Sequence, residues 1–111
     1  MDVLNELNNL IQQVDYSIKK LSENGRSYAE AERDYKIELM QEVMKLRDEK
    51  IPVTLIQLVA YGKKNVAEKR FERDCKEAIY KANQESINVT KLKIRVIENQ
   101  LQREYANTDR Q

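Results

Sequence analysis

The hydrophobic pattern along the chain consists of long amphipathic stretches interrupted by one short apolar segment. Near the start, apolar residues alternate at spacings of three and four, the two-position heptad repeat of a helix that packs along a narrow face. This first seam comprises Leu4, Leu7, Ile11, Val14, Ile18 and Leu21. It predicts a helix over residues 2 to 22, capped by Asp2. Asn24 and Gly25 tolerate the left-handed conformation and are expected to end it.

A second helix is predicted over residues 28 to 49. Ser27 and Glu30 have the spacing of a capping box, which would start the helix. Its apolar stripe comprises Tyr28, Ala31, Tyr35, Leu39, Val43 and Leu46. The helix is expected to end before Pro52, because the residue before a proline disfavours helical geometry. The short connection between these two helices predicts an antiparallel helical hairpin.

Residues 50–62, the corner segment, break this charged helical sequence. The segment contains the only proline of the chain, Pro52, and one of its two glycines, Gly62. The apolar run between them is too short to span a bilayer, which takes about 20 apolar residues. We therefore expect a corner of the fold and no membrane contact.

The corner segment is also predicted to contain a short helix near residues 53 to 61. Thr54 and Gln57 have the spacing of a second capping box, and Gly62 would terminate the helix. Apolar runs between helix breakers are usually buried, so we expect a core position. If Leu55 and Leu58 are exposed instead, the corner is the expected partner-binding surface.

The sequence after the corner predicts a third helix, for which Asn65 offers an N-cap. Its apolar stripe, expected to face the core, comprises Ala67, Phe71, Cys75, Ala78 or Ile79, and Ala82. Cys75 would then be a small core residue and not a reactive thiol.

The region after residue 85 leaves alternatives open. Residues 92–96 alternate as a strand does, but helix is favoured because an isolated strand would have no pairing partner. A turn at residues 86–90 would give a closed bundle of four helices. Without a turn, one helix of about 64 Å would reach beyond the first two and predict a homodimer.

Composition places the chain in the all-α class. Charged residues make up 35% of 111 residues, and glycine and proline together number three, a balance typical of helical bundles and coiled coils. The length fits a single domain, residues 1–111. The net charge of +1 supports no more than a local basic patch. A single cysteine and no signal-peptide pattern indicate a cytoplasmic protein.

Enzymatic chemistry has little support in the sequence. Histidine, the commonest general base and transition-metal ligand, is absent. There is no glycine-rich phosphate loop and no nucleophile motif. The carboxylates with the best spacing for a di-metal site between helices are Asp34, Glu38, Asp74 and Glu77, which charge patterning explains as a solvated face. We predict a non-enzymatic protein without cofactor or metal.

Protein binding is the favoured role, through the corner and two matching arginines. Two Glu-Arg-Asp-x-Lys segments place Arg33 and Arg73 in equivalent positions, where planar guanidinium groups can bind carboxylates or phosphates of a partner. The predicted partner-binding residues are Leu55, Leu58, Arg33 and Arg73.

The alternative is a nucleic-acid interface. Basic residues cluster just past the corner around Phe71, and aromatic rings between cations can stack on bases. The candidate residues are Lys63, Lys64, Lys69, Arg70, Arg73, Lys76, Lys91, Lys93 and Arg95. A helix-turn-helix over residues 53–77 fits poorly around Gly62.

Several segments together resemble a family of small all-helical proteins from early regions of Gram-positive phages and prophages. They are residues 31–35, 51–54, 60–62, 66–68, 70–74 and 92–96, and the resemblance covers most of the chain from residue 28 onward. It implies a gene near single-strand-binding and recombination functions in a bacterial host cell, and no catalytic residue. The expected function is a phage accessory protein that binds a host or phage protein in DNA metabolism or host defence.

Overall fold

The computed structural model describes residues 2–109 and contains three α-helices. They are α1 (Val3–Asp48), α2 (Val53–Gly62) and α3 (Lys64–Asp109). The predicted all-α class is confirmed, with a helical hairpin, a long C-terminal helix and a short corner helix. Residues 86–90 lie inside α3, so the alternative of a turn there is excluded.

The predicted turn at Asn24 and Gly25 is wrong, because α1 continues through both residues. The hairpin is formed by α1 and α3 and not by two halves of α1. Glycine at position 25 serves a close contact instead: a Cβ there would lie 3.1 Å from Cε1 of Tyr80. The Ser27 capping box is also wrong, since Ser27 lies in the helix interior.

Continuous heptad rows explain why neither long helix breaks. Buried and half-buried residues of α1 recur at three-four spacing over Val3, Leu7, Leu10, Val14, Ser17, Leu21, Asn24, Tyr28, Ala31, Tyr35, Glu38 and Glu42. The matching row of α3 comprises Val66, Lys69, Arg73, Lys76, Tyr80, Asn83, Ile87, Thr90, Ile94, Ile97 and Leu101. Each row keeps one side of its helix in contact with the other long helix.

The predicted first seam is therefore half right. Leu7, Val14 and Leu21 belong to the inward row of α1. The other three members are exposed, by 58% at Leu4, 40% at Ile11 and 48% at Ile18. The inward row also contains Leu10, Ser17 and Asn24. The local hydrophobic pattern does not reveal these positions, because their burial depends on contacts with the other long helix.

Equal helix lengths remove one argument for a homodimer. Both α1 and α3 contain 46 residues. A last helix longer than its counterpart, which would have needed a partner chain, is not present in residues 2–109.

The chain divides into two compact units. The first combines α1 up to Glu23 with α3 from Lys81 onward. Its buried residues are Leu10, Val14, Ile87, Thr90 and Ile97. The two helices are also joined by a hydrogen bond of 2.9 Å, donated by the Asn83 side-chain amide to the Ser17 carbonyl.

The second unit, Asn24–Tyr80, contains the corner helix α2. Its buried apolar residues are Ala31, Tyr35, Leu46, Ile56, Ala60 and Val66. Leu46, Ile56 and Ala60 form a core cluster, against which Leu39, Val43 and Ile51 pack. This cluster attaches α2 to the end of α1.

A Schellman motif ends α1 just before the corner. The Ile51 amide donates to the Leu46 carbonyl at 3.1 Å, and the Lys50 amide donates to the Arg47 carbonyl at 3.1 Å. Lys50 occupies the left-handed position of the motif, with φ of 62°. Ile51 also packs against the cluster that contains Leu46, which is the type of apolar contact that accompanies this motif.

Replacing Lys50 with glycine is expected to stabilise the fold. A left-handed backbone costs an L-residue about 1–2 kcal/mol, and glycine avoids that cost at an entropic penalty of about 0.5–1 kcal/mol. Urea denaturation of Lys50→Gly should therefore show a gain of up to about 1 kcal/mol. The control Lys63→Gly lies in extended backbone (φ of −65°) and should lose stability. A loss in both variants would show that the Lys50 conformation carries no strain.

The start of α2 differs from its predicted cap. The helix begins at Val53 with Pro52 as N-cap, and no side chain makes a capping hydrogen bond. Thr54 is therefore inside the helix, and the Gln57 amide donates to the Tyr61 hydroxyl at 3.0 Å. The predicted end of α2 is confirmed, because its last residue is Gly62. No glycine has a positive φ among the described residues.

Within residues 2–109, none of the helices combines the length and the apolar character needed to cross a bilayer.

Candidate functional site at the corner helix

The corner helix α2 has one buried face and one exposed face. Ile56 is 7% exposed and Ala60 is 0% exposed, and both pack on Leu46. The expectation of a buried corner is therefore correct for this face. It is wrong for the rest of the apolar run, because ten residues of helix cannot turn every side chain toward one neighbouring helix.

The exposed face of α2 is strongly apolar. Leu58 is 70% exposed and Leu55 is 46% exposed on this face, while Val53, which is 85% exposed, starts the helix on the side of Ile56 and Ala60. Val59 lies at the edge of this face. We call these four residues the corner surface. Their exposure meets the condition under which the sequence pointed to the corner as a partner-binding surface.

A groove lies beside the corner surface, between α1 and α2. Its volume is about 380 Å³, and it is lined by Leu39, Val43, Arg47, Val53, Ile56 and Gln57. Apolar side chains form most of the lining, while Arg47 supplies a cation. Such a groove can take apolar side chains of a partner and pair an adjacent carboxylate with Arg47.

Two exposed methionines extend the apolar character along α1. Met40 is 60% exposed and Met44 is 53% exposed. With Arg47 they follow the spacing of one helix side, four and three residues apart. Methionine side chains are flexible and polarisable, and they adapt to varied partner surfaces.

The two matching arginines have different environments. Each donates to the next aspartate: Arg33 to Asp34 at 3.1 Å and Arg73 to Asp74 at 2.8 Å. The Arg33 side chain is 63% exposed and remains a candidate contact for a partner. The Arg73 side chain is only 23% exposed and lies 4.5 Å from the centroid of the Tyr35 ring. Hydrogen bonding to Asp74 raises the pKa of Arg73.

The basic residues after the corner do not share one face. Lys63 and Lys64 are exposed at the start of α3, whereas Lys69, Arg73 and Lys76 belong to its inward row. Lys69 lies 4.0 Å from Glu72. Arg70 lies 5.7 Å from the centroid of the Tyr61 ring. Only part of the predicted basic patch is therefore directed toward solvent.

The remaining three basic candidates, Lys91, Lys93 and Arg95, are all exposed. Successive residues of an α-helix are rotated by about 100°, so side chains two apart point in widely different directions. Lys91 and Arg95, four residues apart, share one side of the helix and Lys93 lies on another, so the three cations do not form a single stripe for a phosphate backbone.

The four candidate carboxylates are engaged separately. Asp34 and Asp74 each bind the preceding arginine, Glu38 accepts from Asn65, and Glu77 accepts from Tyr28. No group of three metal-ligating side chains occurs among residues 2–109. The structure thus gives each carboxylate a local partner in place of a shared centre.

Sequence reasoning missed the hydrogen bond between Tyr28 and Glu77. The Tyr28 hydroxyl donates to Oε2 of Glu77 at 2.8 Å, and the Tyr28 and Tyr80 ring centroids lie 6.0 Å apart. The hydrogen bond to Glu77 raises the pKa of Tyr28 to about 12. Tyr28 occupies an inward position of the α1 heptad row and the half-buried Glu77 lies next to Lys76 of the α3 row, so extension of the heptads through residue 24 could have revealed the pair.

The raised pKa of Tyr28 predicts a loss of stability in alkali. The Tyr28 hydroxyl has a pKa of about 12 in the folded chain and of 10.0 in the unfolded chain, so unfolding releases its proton between these two pH values. The folded state therefore binds more protons over this interval, and stability should fall as pH rises through it. The tyrosinate absorbance of the folded chain should include a titration step near pH 12 that belongs to Tyr28. Tyr28→Phe should remove this step and Tyr16→Phe should retain it; a late step in both variants would contradict the assignment.

The apolar stripe predicted to place α3 in the core is wrong. Phe71 is 71% exposed, and Cys75, Ala78 and Ala82 are exposed as well. Ile79, the alternative member, is 51% exposed. The inward side of this stretch carries polar residues instead, because the facing part of α1 presents Tyr28, Tyr35, Glu38 and Glu42, which require polar partners.

No protein-family model matches the chain, and comparison with curated proteins and with solved structures also finds no match. The resemblance to phage proteins therefore stays a prediction.

Proposed function

We propose that this chain is a non-enzymatic interaction protein that binds another protein through the corner surface. The observation that supports this proposal is the exposure of Leu58 and Leu55 on a helix whose opposite face is fully packed. Large exposed apolar side chains beside a groove are typical of protein–protein binding sites. With the family resemblance, the proposed partner is a host or phage protein in DNA metabolism or host defence.

The chemistry of the site favours an acidic, amphipathic partner segment. Arg47 lines the groove, while Lys50, Lys63 and Lys64 are exposed at the two ends of α2. Apolar residues of the partner would contact Leu55 and Leu58, and carboxylates at its edge would meet these cations. Charge complementarity of this kind contributes mainly to specificity and association rate.

Affinity capture from lysate of the bacterial host, with and without phage infection, tests the proposal. The wild-type chain should retain a stoichiometric protein, and Leu55→Asp with Leu58→Asp should weaken its binding by about 100-fold or more, the effect of losing central apolar contacts. Leu4→Asp is the matched control, since Leu4 is 58% exposed and lies outside the second unit. Recovery of the chain alone, or equal capture by the corner variant, would contradict the proposal.

A nucleic-acid-binding role has weaker support. Lys69, Arg73 and Lys76 face α1, and only the exposed cations remain for phosphate contacts. A phosphate-binding surface normally gathers its cations on one side.

A further inference from the structure

A second heptad row lies on the side of α3 that faces away from α1. Its spacings alternate between four and three, as in the inward row, and it begins at Phe71 and ends at Val96. We call it the outer row. Its members are Phe71, Cys75, Ala78, Ala82, Glu85, Val89, Leu92 and Val96, and all eight are exposed.

The outer row is apolar at every position except Glu85. Phe71 is 71% exposed, Val96 is 63% exposed and Leu92 is 57% exposed. Val89, Leu92 and Val96 also border a groove of about 310 Å³, which Lys93, Ile97 and Glu6 of α1 line as well, so it lies at the flank between α3 and α1. A helix packed on a single side needs one apolar stripe, whereas α3 from residue 87 onward has two on opposite sides, because Ile87, Ile94 and Ile97 form its inward side. This arrangement is typical of a helix that packs against two neighbours.

We propose that the outer row packs antiparallel against the outer row of a second copy of this chain. The two-fold axis would pass between Ala82 and Glu85, so that positions equidistant from it face each other. The facing layers are Phe71 with Val96, Cys75 with Leu92, Ala78 with Val89, and Ala82 with Glu85 of the other copy. Small residues thus face larger ones in the middle layers, as close packing requires.

Charge complementarity selects a second copy and fixes its direction. In the antiparallel arrangement Glu72 comes beside Lys93 of the other copy, and Asp74 comes beside Arg95, each pair occurring twice by symmetry. Arg73 binds only Oδ1 of Asp74, so Oδ2 can accept a further hydrogen bond. All four flanking side chains are exposed.

A parallel arrangement lacks these pairs. Equivalent positions would then lie at the same level, and the two copies of Glu85 would meet in one layer, where like charges repel. Asp74 would face Ile79 of the other copy instead of a cation. The antiparallel arrangement is therefore the one that the sequence of the outer row fits.

The association would not require new helix formation. The row extends over about 38 Å of a helix that already exists in the hairpin, so the ordering cost of binding falls mainly on side chains. This inference is independent of the proposed binding by the corner surface, because α2 contributes no residue to the outer row.

Light scattering over a range of concentrations measures the association. The mass should approach twice 13.2 kDa. Leu92→Glu should raise the dissociation constant by about 100-fold or more, because each copy would bury an unpaired charge. Circular dichroism should show unchanged helix content, since Leu92 is exposed in the single chain. Gln84→Glu is the control on the same helix, at an exposed position outside the outer row, and should leave the mass unchanged.

A mass of 13.2 kDa for the wild-type chain at every concentration up to the millimolar range would overturn the proposal. A dimer that Leu92→Glu leaves intact would also overturn it, because another surface would then hold the copies together.

Disulfide trapping tests the direction. In Leu92→Cys, mild oxidation should join Cys75 to the new cysteine of the other copy and give a covalent dimer. The wild-type chain should not form this dimer, because its two Cys75 sulfurs would lie about 25 Å apart along the helix axis. Efficient Cys75 to Cys75 linkage in the wild type would show a parallel pair and overturn the antiparallel proposal.

Charge reversal provides a second test of direction. Glu72→Lys combined with Asp74→Lys should weaken the dimer, and the further changes Lys93→Glu and Arg95→Glu should restore it. Failure of the restoration, with helix content unchanged, would contradict the proposed pairs.

Discussion

Replacing Leu46 with alanine is expected to cost about 3 kcal/mol of unfolding free energy, the middle of the range for burial of a leucine in a packed core. Leu46 is 2% exposed and lies in the cluster with Ile56 and Ala60. Its carbonyl also accepts the Ile51 amide in the Schellman motif. The substitution leaves a cavity between α1 and α2 at the place where the Leu46 side chain packs with Ile56 and Ala60.

Denaturation by urea, followed by circular dichroism, measures this loss. Met44→Ala is the control, since Met44 stands two residues earlier on α1 but is 53% exposed. Its effect should stay within about 0.5 kcal/mol, as for other exposed positions. Similar losses in both variants would mean that helix propensity, and not the corner cluster, determines the result.

The fold class and the corner could be predicted from the sequence because their causes are local. The high charge content and scarcity of glycine exclude most alternatives to helix. Pro52 makes the first long helix end shortly before it in any tertiary context, since its ring disfavours helical geometry in the preceding residue. The corner helix was also placed correctly to within two residues.

The turn predicted at residues 24 and 25 does not form, because residues that are able to end a helix do not by themselves force it to end. Asn24 and Gly25 can adopt left-handed geometry, but nothing in the chain forces them to. The tertiary contact decides the outcome: Tyr80 packs over Gly25, and the inward heptad continues on both sides of it. That contact involves a residue far away in sequence, so the local pattern does not contain it.

The orientation of α3 could not be predicted for a different reason. Two heptad rows are present, and the more apolar row is the one predicted to face the core of a single chain. In the structure a more polar row faces inward over residues 69–83, where Arg73 contacts the ring of Tyr35 and Glu77 accepts from Tyr28. Pairing of these polar groups with α1 favours the observed orientation, and the apolar row remains on the surface.

Asn65 shows the same competition between local and tertiary contacts. As a predicted N-cap its side chain would bond to the backbone of its own helix. Instead its amide donates to Glu38 and to Oε1 of Glu42, the latter at 3.0 Å. Glu42 is only 8% exposed, and it forms an ion pair with Lys45 at 3.8 Å. The amide of Asn65 thus holds two carboxylates that would otherwise repel each other.

Replacing Asn65 with aspartate is therefore expected to be strongly destabilising. The change removes two hydrogen bonds to charged groups and places a third carboxyl beside Glu38 and Glu42, at a combined cost of about 3 kcal/mol near neutral pH. The surrounding carboxylates should raise the pKa of the new carboxyl in the folded state. A raised folded-state pKa means that the folded variant gains protons relative to the unfolded one as pH falls, so the cost should shrink toward about pH 4.

Two further variants separate repulsion from a simple loss of packing. Asn99→Asp changes an exposed asparagine on the same helix and should have little effect at either pH. Adding Glu38→Gln to Asn65→Asp should recover part of the stability, because the new amide can donate to the carboxyl at position 65. A loss in Asn65→Asp that is the same at acidic and neutral pH, and that Glu38→Gln does not relieve, would contradict the repulsion mechanism. Recovery would instead establish Asn65 as the residue that allows two carboxylates to share the α1 surface on which α3 begins.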